Sequence, residues 1–323
     1  MEQTERLVVA LGGNAILQPG QRGTYAQQTE NVRLAARQVA ALVRAGYRVV
    51  VTHGNGPQVG NILLQNERAA GEVEPMPLDV CGAESQGFIG YMLVQALQAE
   101  LGPERPVAAL VTRTVVREDD PAFREPSKPI GPFYGEEEAA RLAVERGYRL
   151  KEDAGRGWRR VVPSPEPVRI VEREAIRALV EAGVLVVAAG GGGVPVVERR
   201  LPDGRRLYEG VEAVVDKDLG AQRLAVDVGA DRLLMLTDVS HAYLHYRRPD
   251  ARPLERLSRT EARGLLAAGE FAEGSMGPKV RAAVRFLEAG GREAVIASLA
   301  EAERALAGAT GTHVLPDAVA VRA

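Results

Sequence analysis

At 323 residues the chain is long enough to bury a large core and to divide into two lobes. Its 46% hydrophobic and 26% charged residues are ordinary for a soluble globular protein. A net charge of −2 with no basic block excludes electrostatic capture of nucleic acid or an anionic membrane surface.

Cys81 is the only cysteine, so no intrachain disulfide forms, which points to a reducing, cytoplasmic setting. The acidic start, Met-Glu-Gln-Thr-Glu-Arg, is unlike a signal peptide. No apolar run approaches the roughly 20 residues that span a bilayer. His53, His241, His245 and His313 show no strong metal spacing, and core or solvated roles suit them better. One bias is informative: there are four lysines, Lys128, Lys151, Lys217 and Lys279, against 37 arginines. Where arginine is used almost everywhere, a retained lysine marks a place for a compact ammonium that a planar guanidinium does not fit.

In chain order, Leu7-Val-Val-Ala-Leu11 reads as a strand buried on both faces, stopped by Gly12-Gly13-Asn14. Residues 27–45 carry Val32, Ala36, Val39 and Val43 at helical spacing and end at Gly46. Residues 48–52 form a second strand that runs into His53-Gly54-Asn55-Gly56-Pro57, followed by a helix with Val59, Ile62 and Leu63. Two such strand-turn-helix units imply a parallel sheet with both turns at one edge. Residues 84–101 predict a long helix and residues 107–112 a strand.

From residue 118 to about 167 the chain is proline-rich and poor in apolar residues. It reads as a small protruding subdomain with a short helix at 136–146 and a hairpin near Trp158 to Val162. Residues 168–182 predict a helix, and 184–189 a third apolar strand ending in Gly190 to Gly193. Asp203-Gly204 signals a hairpin. Residues 211–215 read as an apolar strand leading to Asp216-Lys217-Asp218 and a helix through Ala221, Leu224, Ala225 and Val228. Residues 232–237 form another buried strand stopping at Thr237-Asp238-Val239. A helix at 260–268 precedes Gly274-Ser-Met-Gly-Pro-Lys279, with Pro278 expected at the first position of the next helix. A strand at 294–297, a helix at 301–307 and a strand at 313–315 close the pattern.

Glycine turns at the ends of parallel strands expose backbone amides to an anion, and isolated lysines track charge on a moving phosphoryl group. The Walker A and dinucleotide fingerprints are both absent, which disfavours a P-loop or nicotinamide enzyme. Asp216-Lys217-Asp218 alone would be a solvated helix cap. With Lys279 at another helix start, Lys217 is better read as a contact to phosphoryl oxygens.

Together these motifs resemble one family. Leu-Gly-Gly-Asn-Ala at 11–15, Thr-His-Gly-Asn-Gly-Pro-Gln-Val-Gly at 52–60 and Ser-Lys-Pro-Ile-Gly at 127–131 look like carbamate kinase. So do Gly190 to Gly193 with Val194-Pro195, Asp216-Lys217-Asp218 and residues 274–279. The resemblance implies the amino-acid-kinase fold, a three-layer α/β protein with an open, mainly parallel sheet of about eight strands. It implies a lobe over 1–210 for carbamate or carbamoyl phosphate, with a protruding lid at 119–166. A second lobe over 211–323 would take ADP or ATP with Mg²⁺ held through the nucleotide phosphates, in a homodimer.

By motif, Gly12, Gly13 and Asn14 would hold the transferring phosphoryl group, Gly54 and Asn55 the carbamate, with Gly191 and Gly192 beside them. Lys217 and Lys279 would neutralise charge, Asp218 would orient the lysines and Lys128 would close over the substrate. Asp216, Thr237, Asp238, Val239, Ser275, Met276 and Gly277 would border the nucleotide. Ala10 and Leu11 stand where other branches of the fold place a lysine, which argues against acetylglutamate or uridylate kinases. A kinase of another small acid, or a non-catalytic nucleotide or carbamoyl phosphate sensor, are the competing readings. The converging lysines disfavour the sensor.

Overall fold

In the computed structural model, which describes residues 4–152 and 157–317, the strand Arg6–Leu11 lies near the middle of an eight-stranded sheet. The order across the sheet is Arg256–Ser258, Thr312–Leu315, Glu293–Ser298, Arg232–Thr237, Arg6–Leu11, Arg48–His53, Leu185–Val187 and Val107–Ala109. Neighbours run parallel except Glu293–Ser298 against Thr312–Leu315. The expected open, mainly parallel sheet is therefore present, and its central strands are apolar on both faces for a reason visible in their packing. Val8 and Ala10 face one helix layer, built from Lys217–Asp227, Met276–Glu288 and Arg173–Glu181. Leu7, Val9 and Leu11 face the other, built from Tyr25–Arg44 and Leu78–Leu101. Strands covered on both sides read as continuous hydrophobic runs instead of alternating ones.

Local chemistry sets the helix ends. Thr24 caps Tyr25–Arg44 in a reciprocal box with Gln27, and the chain leaves the far end through Gly46 at φ +98°. Asp216 caps Lys217–Asp227 by accepting from the amides of Asp218 and Leu219.

Five expectations need correction. The strand at 107–112 covers only Val107–Ala109, because Thr112 turns out of the sheet: its amide and hydroxyl donate to the Gln86 side chain at 3.0 Å each. The chain then enters a second, four-stranded sheet made by Arg113–Val116, Arg169–Ile170, Val194–Arg200 and Arg206–Gly210. For the same reason the helix expected at 168–182 is confined to Arg173–Glu181: Ile170 pairs with Thr114, and its amide donates to the Asp227 carboxylate. Residues 211–215 are not a strand, since Val211 and Val214 donate to Pro195 and Pro163 in different neighbours instead of one ladder. The last long helix begins at Met276, so Pro278 is its third residue. The hairpin of Ala242–Leu244 with Arg252–Leu254 and the strand Arg256–Ser258 had no sequence signal. The helix read at 84–101 starts earlier, at Leu78.

The protruding region has its own small sheet of Lys128–Tyr134, Leu150–Glu152 and Trp158–Val162, with the helix Glu136–Arg146 packed on it through Ala139 and Leu142. Ile130 and Val162 seat it on Val59 and Leu63 of the helix Gly56–Ala69.

Candidate active site

The C-terminal ends of the central strands converge, and the turns that leave them form the floor of the site. Gly12 continues the first strand by donating to Leu236 O at 2.9 Å, and Gly54 donates to Leu11 O at 3.0 Å. Both turns are thereby stitched to the strand beside them. A Cβ on Gly54 would lie 3.0 Å from Lys217 Cδ and 3.3 Å from Gly13 N, so the bare backbone lets three segments meet. Gly191, at φ +64°, sits so close to the Asn55 amide that a Cβ would come within 2.2 Å of Nδ2. Asn55 is aimed by its Nδ2, which donates to Ser85 Oγ at 2.8 Å.

His53 is buried under this floor. Burial pushes its pKa down to about 4 against the opposing bond to Gly54 O, so the ring is neutral. Its Nδ1 lies 3.0 Å from Gly54 O, and because a carbonyl can only accept, that nitrogen carries the proton. His53 thus braces the turn.

Above the floor lie the charges. Asp218, 3% exposed, accepts from Lys217 Nζ at 3.2 Å and from Lys279 Nζ at 3.1 Å through the same Oδ2 atom. Lys128 Nζ donates to Asp216 Oδ2 at 2.6 Å, across 88 residues of sequence. Burial works against the Asp216 carboxylate, but the Lys128 and Lys217 ammonium groups outweigh it and hold its pKa below the usual range. Burial likewise opposes the Lys217 ammonium, and Asp218 with Asp216 outweighs it, raising that pKa. Lys279 goes the other way: burial and the Lys217 charge lower its pKa despite Asp218. One buried carboxylate shared by two ammonium groups leaves positive potential facing the glycine turns, suited to a phosphoryl anion.

Beside this cluster opens a cleft of about 510 Å³ lined by Thr237, Asp238, Val239, Ser275, Met276 and Lys279 among others. Tyr243, Tyr246, Arg247, Arg248 and Phe271 also line it and were not found from sequence. Their only signal was an aromatic and arginine-rich loop after a buried strand, and His241 and His245, read as solvated or core, line the cleft too. Of the residues expected at the nucleotide, Asp216 stands apart with Lys128, and Gly277 is buried behind, donating to Ala272 O at 3.0 Å. Lys151 is exposed on the small sheet, away from these contacts.

A model of the amino acid kinase family matches residues 5–298. The carbamate kinase of Pyrococcus furiosus is 53% identical over 317 residues, covering 97% of this chain and 99% of that one. The chain belongs to the amino acid kinase family, among its carbamate kinases. A Giardia lamblia carbamate kinase bound to AMP-PNP superposes on this kinase with a TM-score of 0.90 at 47% identity, over 98% of this chain and 100% of that one. The Giardia enzyme solved after thiocarbamoylation by disulfiram on a cysteine gives 0.87 at 46% identity, with the same coverage.

Proposed function

We propose that this kinase catalyses ATP + carbamate ⇌ ADP + carbamoyl phosphate and runs toward ATP, as a cytoplasmic homodimer. The observation that carries the site assignment is the Lys217–Asp218–Lys279 cluster lying between the cleft and the glycine turns. The nucleotide would occupy the cleft, in the lobe over 211–323, with its phosphates pointing at the lysines. Carbamate would lie at Gly54 and Asn55 in the lobe over 1–210, and Gly12, Gly13 and Asn14 would cradle the group in flight, with Gly191 and Gly192 behind. Lys217 and Lys279 would neutralise the equatorial oxygens while Asp218 holds them in place. Lys128, carried on the lid at 119–166, would reach the substrate from above. Incubating the purified protein with ADP, Mg²⁺ and carbamoyl phosphate tests the reading: ATP appears if it is right and does not if it is wrong.

Mg²⁺ fits this arrangement as part of the nucleotide. Among the described residues no three His, Cys, Asp or Glu side chains converge, and Asp216 and Asp218 already take up lysine ammonium groups. Phosphate oxygens of the nucleotide would hold the ion, which would supply neutralisation of the phosphate charge beside Lys217 and Lys279. Calorimetry with Mg²⁺ alone is therefore expected to show no tight binding to the nucleotide-free protein, and a micromolar site would contradict this.

The Giardia relative is modified on a cysteine by disulfiram, whereas here Cys81 is fully buried and its thiol is pushed up to about 11 by burial and nearby carboxylates. Disulfiram is expected to leave both the mass and the turnover of the folded protein unchanged. Loss of activity together with an adduct on Cys81 would refute it.

A further inference from the structure

Two of the motifs end on glycines that no step above uses, Gly60 and Gly131, and the structure brings them together. A Cβ on Gly60 would lie 3.2 Å from Gly131 Cα and 3.3 Å from Gly131 N, so the helix Gly56–Ala69 and the strand Lys128–Tyr134 touch backbone to backbone there. Gly131 has φ +72°, and pairing with Trp158–Val162 slips register between Ile130 and Tyr134. The lid strand advances four residues there against two on its partner, and extra residues of this kind bend a strand and re-aim the side chains on either side. Lys128 is three residues before the bend and reaches Asp216 Oδ2. The same helix begins directly after Asn55, and near its other end Glu67 accepts from Tyr148 Oη at 2.8 Å and Tyr134 Oη at 3.4 Å. One helix therefore runs from the substrate turn to the far side of the lid and carries the lid strand across its middle.

We infer, resting on the proposed place of Lys128 over the substrate, that Gly60 and Gly131 are positioning residues. Their bare backbones set the height and angle at which the lid strand crosses the helix, and with it the reach of Lys128 toward Asn55. A methyl group on Gly60 would force the strand outward by a few tenths of an ångström, and misplacement of about 1 Å is enough to lose about 100-fold in rate. Alanine suits an interior helical position better than glycine, so such a change need not weaken the helix itself.

The test is a double-mutant cycle on ATP formation, with kcat, KM for ADP and melting temperature measured for the wild type, Gly60→Ala, Lys128→Ala and the double variant. Gly60→Ala is expected to lower kcat about 10-fold, leave KM for ADP unchanged and leave the melting temperature level or higher. In the Lys128→Ala background the same methyl is expected to change kcat by less than about twofold. If Lys128→Ala alone keeps full turnover, the role given to Lys128 is wrong. If Lys128→Ala slows the reaction yet Gly60→Ala slows it equally in both backgrounds, Lys128 stands and the positioning inference is overturned, as it is if Gly60→Ala is silent. Gly131 gives an independent arm should Gly60→Ala misfold. There a Cβ has open space but an unfavourable φ, so Gly131→Ala is expected to lower kcat and Gly131→Asn, which tolerates that φ, to restore it. Equal behaviour of the two would count against the inference.

Discussion

Asp218→Asn is expected to reduce ATP formation on the order of 1000-fold, about 4 kcal/mol of transition-state stabilisation. Removing a single transition-state donor loses about 100- to 1000-fold in other active sites, and here one carboxylate holds both Lys217 and Lys279. Without its charge the two ammonium groups repel each other, and Lys279, whose pKa burial and Lys217 already lower, gives up its proton more readily. The fold is expected to lose about 3 kcal/mol as well, since breaking one side of a buried ion pair leaves charge uncompensated.

The two contributions separate by pH. In the wild type the raised pKa of Lys217 contributes stability that is present below its ordinary value near 10.4 and lost as pH rises through the raised one. The lowered pKa of Lys279 is a penalty below its folded value that fades as pH climbs toward about 10.4. In the variant the Lys217 contribution shrinks to what Asp216 still supplies and the Lys279 penalty grows, so the stability deficit measured by urea unfolding is largest near neutral pH and shrinks in alkali. A deficit independent of pH, or turnover within a few-fold of wild type, would show that Asp218 does not organise the lysines.

Lys217→Arg is expected to cost about 100-fold in turnover, or about 2.7 kcal/mol, with the melting temperature nearly unchanged. The Lys217 stem lies where a Gly54 side chain would otherwise be, and its head sits against Asp218 with Asp216 close by. A longer, planar guanidinium with fixed donor directions cannot place one charge at that point. Lys151→Arg is the control, because Lys151 is exposed and surface exchanges usually stay within about 0.5 kcal/mol. Rates and melting curves are needed for both. A folded Lys217→Arg protein with most of its turnover would remove Lys217 from the phosphoryl site.

The parts of this fold that can be read without coordinates are those governed by local chemistry. Val49 to Val51 and Leu233 to Leu236 are apolar on both faces because helices cover both, and such runs leave no ambiguity about burial. The glycine turns were legible because each follows such a run. The scarcity of lysine drew attention to all four lysines, and the structure brings Lys128, Lys217 and Lys279 to Asp216 and Asp218 while leaving Lys151 exposed elsewhere. What escaped depends on distant partners. Thr112 leaves the main sheet because Gln86, 26 residues earlier, holds its amide and hydroxyl. Residues 211–215 look like a strand by composition and are irregular because their backbone partners lie in separate segments. The wall of the cleft, with Tyr243, Tyr246, Arg247 and Arg248, comes from a loop whose turn places His245 and Arg247 at positive φ, which residue type alone does not announce.

The strand order has a consequence for how the protein is made. Arg232–Thr237 inserts between Arg6–Leu11 and Glu293–Ser298, so the strand Arg6–Leu11 gains its second neighbour only after all of residues 12–231 have been synthesised. Until then the edge from Leu7 to Leu11 can pair on one side alone, with Arg48–His53. An apolar, half-paired edge is a template for another nascent copy, and slow parallel pairing prolongs its exposure. The floor of the candidate site is under the same constraint: Gly12 closes onto Leu236 O, so this glycine turn cannot set before the strand that carries Leu236 is synthesised. Closure of this floor thus waits for the strand Arg232–Thr237, far along the chain from the turn it completes.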